Sequence, residues 1–316
     1  MPDYTDFSPS IVISAGMPML PGEGDVTTGD VYFVSSTAAN RSDSGSQGKT
    51  PTLPFATIDY AIGRCTANVG DRIYVMPGYT QTSSAAAGID ADVAGVTIKA
   101  LGFGTNRATI TFTDTAGDID IDAANITLQN FRFIGNVAAL AAPIDVNAAF
   151  FSMLNCDFYC AAATTDINMT VITDANADDM LIYGCNFNYI ASNAATAATV
   201  SNTMTEVIRL VGADRAHIIG CFMNGNFTTA CINGITTASR DIQIIGNRLH
   251  NVQTTNIAGI IDLVASCDGI IAYNQGFHGY TTDLATTIDP AGCAMIENYF
   301  SNVVTESGGI VGTRST

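Results

Sequence analysis

The chain has no tryptophan, three histidines, and 12 lysines and arginines against 29 acidic residues, a formal net charge of −17 over 316 residues. So few cations argue against binding nucleic acid or an anionic membrane surface, both of which need a basic patch. Without tryptophan, any stacking on sugar rings falls to 11 tyrosines and 15 phenylalanines. Hydrophobic residues make up 47% and charged residues 13%, yet no apolar run approaches the roughly 18 to 20 residues that cross a bilayer. The apolar content therefore belongs to a packed interior. The opening Met1-Pro-Asp-Tyr-Thr-Asp-Phe-Ser-Pro lacks the basic segment and apolar core of a secretory leader, so the expectation is a chain made in a reducing cytoplasm. Nucleophile elbows, Walker loops and dinucleotide fingerprints are missing as well.

What is present is a repeat. Seven stretches share one template: Ile126–Phe133, Phe151–Phe158, Met180–Phe187, Ala216–Met223, Ile242–Leu249, Ile270–Phe277 and Cys293–Phe300, with Val96–Phe103 fitting as an eighth. Counted back from the closing residue, apolar or small residues fall at minus seven, minus five and zero, with Asn or Gly usual at minus three. Positions two apart share a face in a strand but diverge around a helix, so each copy reads as a strand, a turn and the start of a second strand. A period of 23 to 36 residues means a solenoid, in which a unit buries its apolar face only when the next one stacks on it.

Cys156, Cys185 and Cys221 stand at minus two in three consecutive copies, which predicts a stack of buried, reduced thiols; no CxxC pair or histidine partner gives zinc spacing. Asn247 and Asn298 take that position in other copies, with Gln275 between them, and predict an amide ladder at the strand spacing of about 4.8 Å. Thr228, Thr254, Thr282 and Thr305 align five residues past the closing residue, and His250 and His278 just past it. One amphipathic helix is expected, over about 55–64, and the Ala/Thr/Ser/Asn-rich Ala191–Thr205 is expected to project as a loop.

The order Val31-Tyr-Phe-Val-Ser-Ser, Asp43-Ser-Gly45, Pro54-Phe-Ala-Thr-Ile58, Ala61-Ile62 and Gly70-Asp-Arg-Ile-Tyr-Val-Met-Pro-Gly-Tyr79 resembles the opening segment of right-handed, pectate-lyase-like β-helix proteins. The resemblance implies an all-β, right-handed, single-stranded parallel β-helix with a short N-terminal capping helix. The expected layout is an arm over 1–29, a capping strand and helix over 30–70, the β-helix over 71–303 and a tail over 304–316. That superfamily includes lyases, hydrolases, phage tailspikes and non-enzymatic virion proteins, so fold alone leaves activity open.

The candidate site is a row of acids. Asp90, Asp120, Asp145 and Asp174 lie thirteen residues before the closing residues of four successive copies, with Asp92, Asp122, Asn147 and Asn176 two residues further on. Neighbouring carboxylates about 5 Å apart repel by on the order of 1 kcal/mol in water-like surroundings, so the row calls for solvent, protons or a cation. Three readings fit: a solvated polar face, a Ca²⁺ site built from hard oxygen ligands, or a carboxylate pair for glycoside cleavage.

The leading expectation is a non-enzymatic bacteriophage virion protein, a homotrimeric capsid decoration protein on the capsid surface that docks on the major capsid protein or another virion protein through residues 1–29. It needs no cofactor, with Ca²⁺ on the acidic row as the one possible exception, and it has neither nucleic-acid nor membrane partners. The alternatives are a tailspike-type protein that binds or cleaves host surface polysaccharide, using Asp90, Asp120 or Asp145, and a secreted β-helix adhesin.

Overall fold

In a computed structural model the described residues are 12–14, 17–19, 27–161, 167–168, 170–189, 204–253, 259–279, 287–302 and 309–311. They form three long sheets of strands stacked in sequence order, parallel throughout except for the last strand of the second sheet, which is a parallel β-helix. The first sheet has ten strands, from Val31–Val34 through Arg72–Val75, Thr97–Ala100, Thr127–Gln129, Ser152–Leu154, Leu181–Tyr183, His217–Ile219, Ile242–Ile245 and Gly269–Ala272 to Ala294–Ile296. The second runs from Thr80–Ser83 to Asn298–Asn302 and ends on Gly309–Val311, and the third has eight strands from Ile89–Asp90 to Ile288–Asp289. One coil visits the first, second and third sheets in turn.

The repeat template maps onto the corner between the first two sheets. Its minus-three residue is the turn, and it is left-handed in every coil: Asn130, Asn155, Gly184, Gly220, Gly246, Tyr273 and Glu297 have φ between 45° and 66°. Glycine and asparagine tolerate that conformation best, which is why they dominate the position. Its closing residue points inward and stacks on its neighbours: the Phe133 and Phe158 rings lie 4.6 Å apart and those of Phe158 and Phe187 4.9 Å apart.

Just before the closing residue runs a buried polar ladder. Cys156, Cys185, Cys221, Asn247, Asn274 and Asn298 stack at one position, each fully buried or nearly so. The backbone N–H of Cys221 donates to Asn247 Oδ1 at 2.8 Å, that of Asn247 to Asn274 Oδ1 at 2.9 Å and that of Asn274 to Asn298 Oδ1 at 3.1 Å. The thiols occupy the same geometry, with the Cys156 N–H on Cys185 Sγ at 3.5 Å and the Cys185 thiol donating to Met153 O at 3.5 Å. None of the eight cysteines forms a disulfide.

The ladder member expected at Gln275 is Asn274. Gly276 holds the closing position of that coil, where an added Cβ would come within 1.9 Å of Leu249 O, so the apolar residue that the template sought was found one place late at Phe277. A one-residue slip exchanges inward and outward faces. The same slip breaks the expected histidine pair: His250 pairs in register with Phe277 and faces outward, whereas His278 pairs with Asn251 and is buried. In the eighth copy the strand Thr97–Ala100 is present, but its coil closes at Ile110, because residues 101–108 form a long corner that leaves Phe103 82% exposed. Thr254, Thr282, Thr305 and almost all of the Ala191–Thr205 loop lie outside the described residues.

The opening segment is tied together by carboxylates. Asp43 accepts from the N–H groups of Ala56 and Thr57 at 2.8 and 3.2 Å, and Thr57 caps a helix of five residues, Ile58–Ile62, shorter than expected. Buried Asp71 accepts from the N–H of Asp30 at 2.5 Å and of Thr66 at 2.6 Å, fastening the capping strand to the first coil. Of the expected arm, the described parts are residues 27–29 and an antiparallel pair, Val12–Ser14 with Met17–Met19. Within the expected tail, Gly309–Val311 pairs antiparallel with Asn298–Asn302. Among the described residues no helix is long and apolar enough to cross a membrane.

Candidate functional site

Because parallel strands stack in register, every outward position becomes a row along the rod, and each sheet presents its own chemistry. On the third sheet one outward row reads Asp90, Asp120, Asp145, Ile172, Arg209, Asn233, Asp262, Asp289. Asp90, Asp120 and Asp145 are therefore brought together as expected. Asp174 is not in that row: Ile172 stands beside Asp145, and Asp174 falls beside Asn147 in the neighbouring row. Seven residues separate the third-sheet strand ending at Thr173 from Leu181, against five between Val146 and Ser152, and this two-residue excess displaced the sequence alignment.

The second acidic row is hydrogen-bonded within itself. Asn147 Nδ2 donates to Asp122 Oδ1 at 3.0 Å, while Asn176, expected in that row, instead donates its N–H and Nδ2 to Asp174 at 2.7 and 2.9 Å. Burial, followed by the negative charges of Asp118, Asp122 and Asp90, pushes the Asp120 carboxyl up to about 6. Burial, followed by Asp120, Asp122 and Asp174, does the same for Asp145. Asp90 moves in the same direction, chiefly through burial and then Asp92. Burial and mutual repulsion thus favour the protonated form of these three carboxyls. The row's carboxylates follow one another at strand spacing; among the described residues no group of three or more His, Cys, Asp or Glu side chains is gathered in a form that could hold a metal ion.

No family model and no curated protein matches this sequence. Among solved structures the chain is similar to a rhamnogalacturonan lyase, at 14% identity over 86% of this chain and 74% of that one, with a TM-score of 0.44. It is also similar to ORF18 of Geobacillus virus E2, at 14% identity over 87% of this chain and 63% of that one, with a TM-score of 0.25. The parallel β-helix architecture stands on the strand pairing described above.

The second sheet presents amide, aromatic and cationic groups outward. Arg132 lies 5.8 Å from the Tyr159 ring centroid, Asn186 Nδ2 donates to Tyr159 Oη at 3.4 Å, and Arg248 lies 5.5 Å from the Phe222 ring, which meets His250 edge-on. Burial, followed by the charge of Arg248, holds the His250 imidazole below its ordinary range and favours its neutral form.

Two further groups escaped sequence reading. Arg107 bridges three coils, pairing with Asp157 and with the backbone carbonyls of Asn155 and Asn130. It borders a cavity of about 470 Å³ at the corner of the first and second sheets, beside Lys99, Phe103, Gln129, Asn130 and Asn155. Glu206 is fully buried and accepts from Arg209 and, at 2.7 Å, from Asn233 Nδ2. Arg107 joins residues 23 to 50 apart, and Glu206 meets Asn233 from 27 residues away, with no shared motif, so only the stacking reveals these contacts.

The first sheet is different again. From Ser152 to Ile296 its outward rows are Leu154, Tyr183, Ile219, Ile245, Ala272, Ile296 and Ser152, Leu181, His217, Gln243, Ile270, Ala294. They contain no carboxylate, lysine or arginine.

Proposed function

We propose that this chain is a structural protein of a tailed bacteriophage virion, a head decoration protein that assembles as a trimer and has no catalytic role. The observation that carries the reading is the segregation of chemistry by face: a rod with one side whose outward rows are free of charge from Ser152 to Ile296 and one acidic side is suited to packing against copies of itself while repelling everything else that is acidic. Residues 1–29 supply attachment to the major capsid protein or another virion protein, and the acidic row faces solvent. Quantitative mass spectrometry of purified particles tests this directly. Hundreds of copies per particle, lost on deletion of residues 1–29, support a decoration role; a few to a few tens place the chain in a tail; absence from particles ends the virion reading.

A second reading, a tailspike that binds or cleaves host polysaccharide, is favoured by Asp120 and Asp145, adjacent carboxyls that hold a proton near pH 6. It requires release of reducing ends from host surface glycan by the purified chain, and loss of that release in Asp120→Asn without unfolding.

A further inference from the structure

We infer that the outer face of the first sheet, from Ser152–Leu154 to Ala294–Ile296, is the surface through which copies of this chain associate; the inference rests on the trimer reading and assigns its contact. Tyr183 is 49% exposed, Ile296 39% and Ile270 37%, and Leu154, Leu181, Ile219 and Ile245 are partly exposed on the same face. Large apolar side chains that recur on six consecutive strands form a patch rather than scattered surface residues. Contiguous patches of a few hundred Å² mark interaction sites.

Three observations select a second copy as the occupant. First, the charge: two chains of net −17 can meet only where carboxylates do not face carboxylates, and this face has none in either outward row, whereas the third sheet presents Asp90, Asp120, Asp145, Asp262 and Asp289. Second, the period: the side chains recur at the strand spacing of about 4.8 Å, and parallel copies set around a common axis with this face turned inward present that same period to one another at every level. A second copy has that period by construction. Third, the size: six strands span about 24 Å, and with a width of about 15 Å the stripe covers roughly 350 Å², enough for the dry centre of an interface whose standard extent is about 800 Å² per partner. Exposed Tyr273 and Tyr299, at the corner with the second sheet, and Phe150, at the corner with the third, extend it as rim.

Light scattering with size exclusion tests the inference on the full chain. The native protein is expected at three times the 33.0 kDa chain mass, and the double variant Ile219→Asp/Ile245→Asp at one chain mass with an unchanged circular dichroism spectrum. Thr111→Asp, on the outer face of the second sheet, is expected to keep the native mass. If the double variant loses its spectrum, Tyr183→Lys/Ile296→Lys, at more exposed positions of the same face, replaces it with the same expected outcome. Native mass retained by a folded variant overturns the choice of face and leaves the trimer standing; a native protein that runs as a single chain overturns both. Neither result depends on the copy number in particles.

Discussion

The side-chain amide of Asn247 donates to Asn274 Oδ1 at 3.0 Å, and the backbone N–H of Asn247 donates to the same oxygen at 2.9 Å, so one carbonyl oxygen holds two donors of the coil before it. Asn274 Nδ2 reaches back to Ile244 O at 2.8 Å. Asn274→Ala leaves the buried Asn247 N–H and Ile244 O without these partners, the Asn247 side-chain amide keeping its bond to Ile218 O, and is expected to cost about 2–4 kcal/mol in urea denaturation. Asn274→Cys should cost about half as much, because Cys185 and Cys221 perform the same accepting and donating roles in earlier coils. Equal losses for Ala and Cys would remove the ladder as a source of stability.

The raised carboxyls of Asp120 and Asp145 make stability depend on pH. A carboxyl whose folded pKa of about 6 exceeds the unfolded value near 4 binds its proton more tightly in the folded state. Its contribution is complete below about pH 4 and is lost as pH rises through about 6. The melting temperature should therefore rise as pH falls from 7 to 5. Asp145→Asn should flatten that slope and stabilise the protein at pH 7 by on the order of 1 kcal/mol, after allowance for solvent screening of a partly exposed row. A melting temperature that is constant from pH 7 to 5 in the native chain would contradict the raised values.

Calcium offers a separate test of the same row. Carboxylates strung along strands at about 4.8 Å do not surround one ion with the six to eight oxygens that Ca²⁺ prefers. Millimolar Ca²⁺ and Mg²⁺ are expected to raise the melting temperature equally, by screening alone. A gain confined to Ca²⁺, abolished in Asp120→Asn, would instead establish a site.

Glu297 sits in the left-handed turn position at φ 45° and is exposed. Relieving that backbone strain with Glu297→Gly should stabilise by about 0.5–1 kcal/mol, the benefit being reduced by the entropy glycine loses on folding. Gly246→Ala, at φ 66° in an earlier coil, should destabilise by a similar amount. Thermal melts of the two single variants, moving in opposite directions, check both.

The solenoid was legible because three inward positions and one left-handed turn recur in every coil, and those constraints leave residue types behind: Phe133, Phe158 and Phe187 in the core, Asn155, Gly184, Gly220 and Gly246 at the turn. Registry failed where a coil departed from the template. Gly276 put no side chain at the closing position and shifted Asn274, Phe277 and the histidines by one place, and a two-residue excess in the turn before Leu181 moved Asp174 out of its row. The apolar face of the first sheet was harder to see. Its members sit between core residues of the same apolar type, as Ile219 does beside Ile218, so only the direction of each side chain distinguishes surface from interior.

The antiparallel strand Gly309–Val311 also determines how far the rod can grow. Every other member of the second sheet runs the same way, so an unprotected last strand would offer a template on which the first coil of another chain could continue end to end. A final strand of reversed polarity presents the wrong hydrogen-bonding pattern for such continuation on that sheet. On the second sheet the chain itself therefore disfavours end-to-end continuation of the rod.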